Sequence, residues 1–467
     1  MRKHLLLLVA LFTISSLSFA QTHEHKHGDW CKTDHVYKEA YNKNPEAFKT
    51  AERELDEAVI AYGSSANKVD DGRTFYIPVV FHYLHPVNES GPDRFFGEGA
   101  AAAVIQRLND DFNRTNADST LIQPYYNGFR RGNANIQFLL SELDPDGEPT
   151  SGINYYPTSL TYAANRSSDD EAKYYTYQNG KYWDSKRYLN FWIVKDLTQA
   201  SGSGTILAYA TLPEFEAAGG TRGTQSGIIG LIDVYRQNIG DPFYKHALSH
   251  EVGHWLGLRH PFQEDEKSII EEDPENPGEI RLTGCSDGDC KFKGDKICDI
   301  PQAKQEFLSC ARNMNSCPNE PQIDNVTNIM DYRNCPQMFS RDQVIRMRGT
   351  LVSYRTELVS WQNLQTTGIN DEIVKDIKGK TSVYPNPFSD KIIIEIDAPR
   401  DVNACIEIRD LLGRSAYKDC KKKLHNGVNR IEISASEMEL GADGVYLVEI
   451  KMNDAVIVER VQFTGNR

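Results

Sequence analysis

Three observations point to an α+β chain in three parts: a helical segment, a central unit with a mixed sheet plus one site-bearing helix, and a C-terminal all-β sandwich. The helical segment is a charged stretch from Asp34 to Ala61, in which Tyr37, Tyr41, Phe48 and Leu55 share one side of a helix. The sheet shows as apolar runs, Thr74 to Tyr83, Ile136 to Leu143, Tyr188 to Val194 and Ile228 to Ile232, ahead of an apolar helix around residues 247–256. The sandwich shows as alternating runs beyond Tyr384: Lys391 to Ile396, Cys405 to Arg409, Asn429 to Ile433, Val445 to Lys451 and Val456 to Phe463, separated by turn residues.

Taken in order, residues 1–20 read as a signal peptide, with Arg2 and Lys3, an apolar run from Leu5 to Phe12, and Ser18-Phe19-Ala20 before Gln21. A secreted chain can form disulfides. No later run supplies the roughly 20 apolar residues of a membrane-spanning helix, so no span is expected once the signal is removed. A net charge of -14 over 467 residues, with no basic stripe, argues against a nucleic-acid partner. His23, His25 and His27 in the tail that follows read either as a metal-binding tract or as a plain polar leader. Residues 21–72 form a segment of their own, because Gly63-Ser64-Ser65 and Asp70-Asp71-Gly72-Arg73 break the chain before the first strand; Lys68 and Arg73 are candidate cleavage points. The central unit covers 73–362, with a helix from about Ala100 to Phe112 after its first strand and Ile228–Ile232 read as an edge strand. A polar linker, 363–380, leads to the sandwich of 381–467, where Cys405 and Cys420 are candidates for a staple.

Residues 250 to 260 read His-Glu-Val-Gly-His-Trp-Leu-Gly-Leu-Arg-His. His250 and His254, four apart on a helix, project from one face and can take two corners of a tetrahedral zinc site. Glu251 between them suits a general base that takes a proton from an attacking water and passes it to a leaving amine. Gly257 can adopt the left-handed backbone that turns the chain, so that His260 becomes the third ligand and a fourth position stays open. A bare pair of histidines beside a glutamate would be a surface feature; the extended frame specifies a zinc peptidase.

This motif, followed by Asn328-Ile329-Met330-Asp331-Tyr332, resembles the metzincin clan. Gly284-Cys285, Gly294-Asp295-Lys296-Ile297-Cys298-Asp299-Ile300-Pro301, Cys310, Cys317 and Cys335 narrow the resemblance to the pappalysin family, over roughly residues 72 to 362. The resemblance implies a metzincin-type zinc protease catalytic domain, with His250, His254 and His260 on zinc, Glu251 as base, Tyr332 stabilising the oxyanion and Met330 as the hydrophobic floor. It pairs Cys285 with Cys317 and Cys310 with Cys335, leaving Cys290 and Cys298 as a third bridge. It also implies a calcium ion in the cysteine-rich loop, with Asp289, Asp295 and Asp299 as candidates beside the plainer reading of solvated carboxylates. Arg333 stands where some relatives that cleave beside arginine carry an acid, which suggests a preference for acidic or uncharged side chains.

The ninth cysteine, Cys31, lies in the helical segment, which then reads as a propeptide. By the same resemblance its thiolate is a latency ligand to zinc, a cysteine switch; a stray thiol or an intermolecular disulfide is the alternative. Pro385-Asn386-Pro387-Phe388, Asp410-Leu411-Leu412-Gly413-Arg414 and Gly444-Val445-Tyr446 resemble the C-terminal sorting domain of the type IX secretion system, whose machinery would be a partner. The expectation is a secreted or cell-surface zinc endopeptidase, inhibited by its own propeptide and acting on proteins or peptides. The rival is a surface zinc-containing binding protein without turnover, against which the presence of Glu251 speaks.

Overall fold

The computed structural model describes residues 31–64, 74–88, 96–197 (with breaks at 129, 161 and 164–165), 206–217, 226–236, 245–263, and, with short breaks, 285–368 and 381–465. The signal peptide, His23, His25, His27, Lys68, Arg73 and Asp289 lie outside the described residues.

The N-terminal segment folds as two helices, α1 (Thr33–Lys43) and α2 (Pro45–Ser64). Pro45 cannot donate to a preceding turn but suits a first helical position, so the helix breaks there, and the Asn44 side chain accepts from the Ala47 N–H at 3.3 Å. Phe48, Leu55, Val59 and Tyr62 form the buried stripe of α2.

The central sheet contains β1 (Phe75–His85), β2 (Ile136–Leu140), β3 (Ile153–Pro157), β5 (Leu189–Val194), β7 (Ala208–Ala210) and β8 (Gly227–Leu231), while β4 (Tyr162–Ala163) and β6 (Asp196–Leu197) pair with each other. Its order is β2-β1-β5-β8-β7, with β3 also on β1; every pairing is parallel except β7 with β8. All six positions of β5 are buried, as a parallel strand covered on both faces requires. Helix α3 (Glu98–Asn113) is tied to β2 through Asn109, whose side-chain amide donates to Phe138 O and accepts from Phe138 N. The remaining helices of the unit are α4 (Arg166–Asn179), α5 (Pro213–Ala217), α6 (Ile232–Arg236), α7 (Ala247–Trp255), α8 (Arg341–Ser353) and α9 (Trp361–Thr366).

Two expectations are corrected here. Ile228–Ile232 is not the sheet edge: β8 is flanked by β5 and β7, and all five of its residues are buried. The edge is β7, whose three residues are too few for an alternation to show in the sequence. The polar linker also does not begin at 363, because α9 runs to Thr366 and Asn363 is fastened to the central unit, donating to Arg187 O at 2.7 Å.

The C-terminal unit is a sandwich of two antiparallel sheets, β9 (Thr381–Tyr384), β10 (Lys391–Ala398) and β13 (Gly427–Ser434) against β11 (Val402–Asp410), β12 (Ser415–Leu424), β14 (Gly444–Met452) and β15 (Ala455–Phe463). Ile394, Ile396, Ile406, Ile408, Val448 and Ile450 fill the space between them. The Lys-rich β12 carries little apolar alternation, which is why it is missing from the sequence reading. All four expected disulfides form: Cys285–Cys317, Cys290–Cys298, Cys310–Cys335 and Cys405–Cys420. Among the described residues no helix is long and apolar enough to cross a membrane.

Candidate active site

Helix α7 is buried along its whole length and presents His250 and His254 on one face. Gly257 then takes φ +88°, the left-handed region an L side chain resists, and the chain doubles back so that the Leu258 carbonyl accepts from His254 Nδ1 at 2.8 Å. His260 closes the triangle: the three Nε2 atoms lie 3.0, 3.0 and 3.2 Å from one another.

Hydrogen positions follow from the partners. His250 Nδ1 faces Ile329 O, His254 Nδ1 faces Leu258 O, and His260 Nδ1 faces Asp34 Oδ2, each at 2.8 Å. All three are acceptors, so each Nδ1 carries the proton and the three Nε2 lone pairs converge on one point. Burial lowers the pKa of His254 to about 3 and takes His250 well below its ordinary value, so protonation does not relieve the convergence. A cation does. Nitrogens held about 2.0–2.1 Å from a tetrahedral zinc ion sit roughly 3.3 Å apart, which matches this triangle, and the buried Cys31 sulfur lies with the three nitrogens inside one 4.8 Å group. The donor set therefore fits zinc.

The other expected residues surround this group. Glu251 is fully buried; Thr33 Oγ1 donates to its Oε2 at 3.2 Å, and burial pushes its pKa up to about 8. Tyr332 packs edge-on to His260, with ring centroids 4.7 Å apart, and its hydroxyl donates to the Cys31 carbonyl at 3.1 Å. Met330 lies beneath α7 where Gly253 leaves room: a Cβ on that glycine would stand 2.5 Å from the Met330 sulfur. Asn328 holds this turn in place, accepting from Met330 N and exchanging two side-chain hydrogen bonds with Gln343 of α8.

The sequence reading missed several contributors. Thr33 and Asp34 follow Cys31 by two and three residues and could have been weighed for that reason. Ala208–Ala210 could not: Cys31 bridges Ala208, Lys32 N donates to Ala208 O, and Ala210 N donates to Thr33 Oγ1, so the prosegment lies along β7. Nothing in the sequence marked His246 either. At the start of α7 it is bound by Asp111 at 2.9 Å and Asp118 at 3.1 Å, which ties the metal helix to α3 and the turn after it.

Burial alone would lower the His246 pKa, but Asp111 and Asp118 reverse this and push it up to about 9. The charged ring contributes its full stabilisation below an unfolded value of about 6.5, and that contribution fades as pH rises through about 9. Unfolding midpoints are therefore expected to fall across this window, with a shallower fall in His246→Gln; equal slopes in the two chains would remove His246 as the cause.

Arg333 does not face a substrate pocket. Its side chain is fully buried and its guanidinium donates to Asp331 at 2.8 Å and Asp324 at 3.0 Å, so its charge is neutralised inside the Met-turn. Of the calcium candidates, Asp299 caps α8, accepting from Ser340 Oγ and Asp342 N, Asp295 keeps a buried Oδ2 without a partner, and Asp289 lies outside the described residues. Among the described residues Cys31, His250, His254 and His260 form the one group suited to a metal ion.

Comparison with known proteins agrees with this geometry. Residues 174–352 match the family described as pregnancy-associated plasma protein-A, and residues 382–463 match the secretion system C-terminal sorting domain. An extracellular metalloprotease of Pyricularia oryzae is 29% identical over 48% of this chain and 68% of its own. One from Verticillium alfalfae is 24% identical over 66% of this chain and 91% of its own. A promirolysin variant of Tannerella forsythia shares the fold, at 24% identity and TM-score 0.54, covering 71% of this chain and 98% of that one. The chain is a secreted metallopeptidase whose residues 174–352 match the pregnancy-associated plasma protein-A family and whose residues 382–463 match a secretion-system C-terminal sorting domain.

Proposed function

We propose that the chain is a zinc endopeptidase made in latent form, with His250, His254 and His260 holding the ion and Cys31 closing its fourth position until residues 21–72 are removed. The observation that carries this is the convergence of three buried Nε2 lone pairs, each ring oriented through its own Nδ1, on a point that a prosegment sulfur also faces. Zinc, when bound, supplies a Lewis acid that polarises the scissile carbonyl and acidifies a water.

The chain's own groups do the rest. Glu251 takes the proton from the attacking water and hands it to the departing amine. Tyr332, whose hydroxyl reaches a main-chain carbonyl of the prosegment, donates in the same way to the substrate oxygen as negative charge develops there. Met330 supports the imidazole cluster from below. The β7 edge, covered by Cys31–Thr33 in the latent chain, is freed to hold an extended substrate by main-chain hydrogen bonds. The C-terminal sandwich addresses the chain to the type IX secretion machinery. A calcium requirement rests on Asp295 and Asp289 and would appear as a stability loss with a calcium-selective chelator.

The test is cleavage of a peptide library by the matured enzyme, with zinc content measured alongside. Stripping zinc is expected to abolish cutting and restoring one equivalent to return it. A folded, zinc-loaded, matured enzyme that cuts nothing in the library would overturn the proposal and favour the binding protein.

A further inference from the structure

Away from the metal, the prosegment sits on a second built site. Three cations from three different segments of the catalytic unit meet there: Arg259 beside the third histidine, Lys296 in the cysteine-rich loop and Arg346 on α8. Their close partners are two carboxylates of α2, one helical turn apart. Glu52 pairs with Arg259 and, at 2.8 Å, with Lys296; Asp56 pairs with Lys296 and, at 2.8 Å, with Arg346. The catalytic unit itself offers Glu214, which stands 3.7 Å from Arg259 and 3.8 Å from Arg346, and neither of its buried oxygens has a hydrogen-bond partner.

The side chains of Arg259, Arg346 and Glu214 are at most 4% exposed, and that of Lys296 is 11% exposed. Desolvated charges are costly unless closely paired, and here the close pairing comes from a segment that maturation removes. Once α2 leaves, Arg259, Lys296 and Arg346 lose these close carboxylates on a surface shaped for a helix, while Glu214 stands no nearer than 3.7 Å and Asp295 interacts with the two arginines through space. The fit is steric as well: a Cβ on Gly349 of α8 would stand 3.1 Å from Val59 of α2, so the missing side chain lets the two helices approach closely.

We propose that Arg259, Lys296 and Arg346 form a binding site on the mature enzyme, distinct from the catalytic cleft, for a polypeptide helix that presents carboxylates at positions i and i+4. The released prosegment helix is the first such ligand available, and an acidic helix on a protein substrate presents the same chemistry. The inference rests on the proposed release of the prosegment. It does not depend on turnover.

The experiment uses the mature, zinc-loaded enzyme obtained from the full-length chain. Two synthetic peptides of residues 45–64 serve as probes, one with the native sequence and one carrying Glu52→Gln and Asp56→Asn. Neither contains Cys31, so neither can reach the metal through it. Affinity is measured by fluorescence anisotropy at two salt concentrations, with turnover of a short peptide followed in parallel to report the peptidase reading separately. The native peptide is expected to bind at least about 30-fold more tightly than the substituted one, more weakly at high salt, and without slowing short-peptide turnover. No binding of the native peptide, equal binding of both, or competitive inhibition of turnover would each overturn the proposal.

Discussion

Glu251→Ala is expected to lower kcat on peptide substrates by about 10²- to 10⁴-fold while leaving zinc content unchanged. The carboxylate stands beside His250 on α7 but contributes no atom to the metal-ligating group, so its loss removes a proton carrier and leaves the ion's ligands in place. The fall should appear in kcat and in kcat/KM together, because the proton is moving in the transition state and not in the bound substrate. Glu251→Asp, which keeps the charge and shortens the reach, should fall between the two. A variant that lost zinc as well as activity would indicate a structural role, and one that kept its activity would sink the assignment.

The second large effect is expected at Cys31. In the uncleaved chain, Cys31→Ala opens the fourth position beside the three histidines, and short-peptide cleavage should rise tenfold or more over the parent proform. The increase should stay below the rate of the mature enzyme. Contacts that survive the substitution include Thr33 on Glu251, Asp34 on His260, Tyr332 on the Cys31 carbonyl, and the main chain of Cys31–Lys32 against β7. Asp34→Asn is the informative companion, since it replaces the carboxylate that orients His260 and leaves the sulfur in place. A Cys31→Ala proform as inactive as the parent would refute the cysteine switch.

Much of the centre was legible in the sequence because it is local. His250, Glu251, His254, Gly257 and His260 lie within eleven residues, and helix periodicity with one left-handed glycine brings them together almost without reference to the rest of the chain. The position of Arg333 shows where such reading fails. From its place in the Met-turn it could serve either a substrate pocket or an internal ion pair, and the choice depends on Asp324, nine residues away in sequence and against it in space. The sheet edge failed for a related reason: five consecutive buried apolar residues in β8 look the same beside one neighbour or two, and only pairing with β7 makes the strand internal.

The sequence by itself determined the chemistry and the three-part organisation, since each is carried by residue type and by spacing within a short window, whereas the disulfide pairs of the cysteine-rich loop came from the family resemblance. Tertiary structure alone decided what covers that chemistry. Thr33, Asp34, Glu52 and Asp56 meet partners about 220 to 290 positions away, at Glu251, His260, Lys296 and Arg346, and no pattern along the chain announces such contacts. They exist because folding lays one segment over the metal site, and burial there makes each unpaired charge costly enough to require a partner.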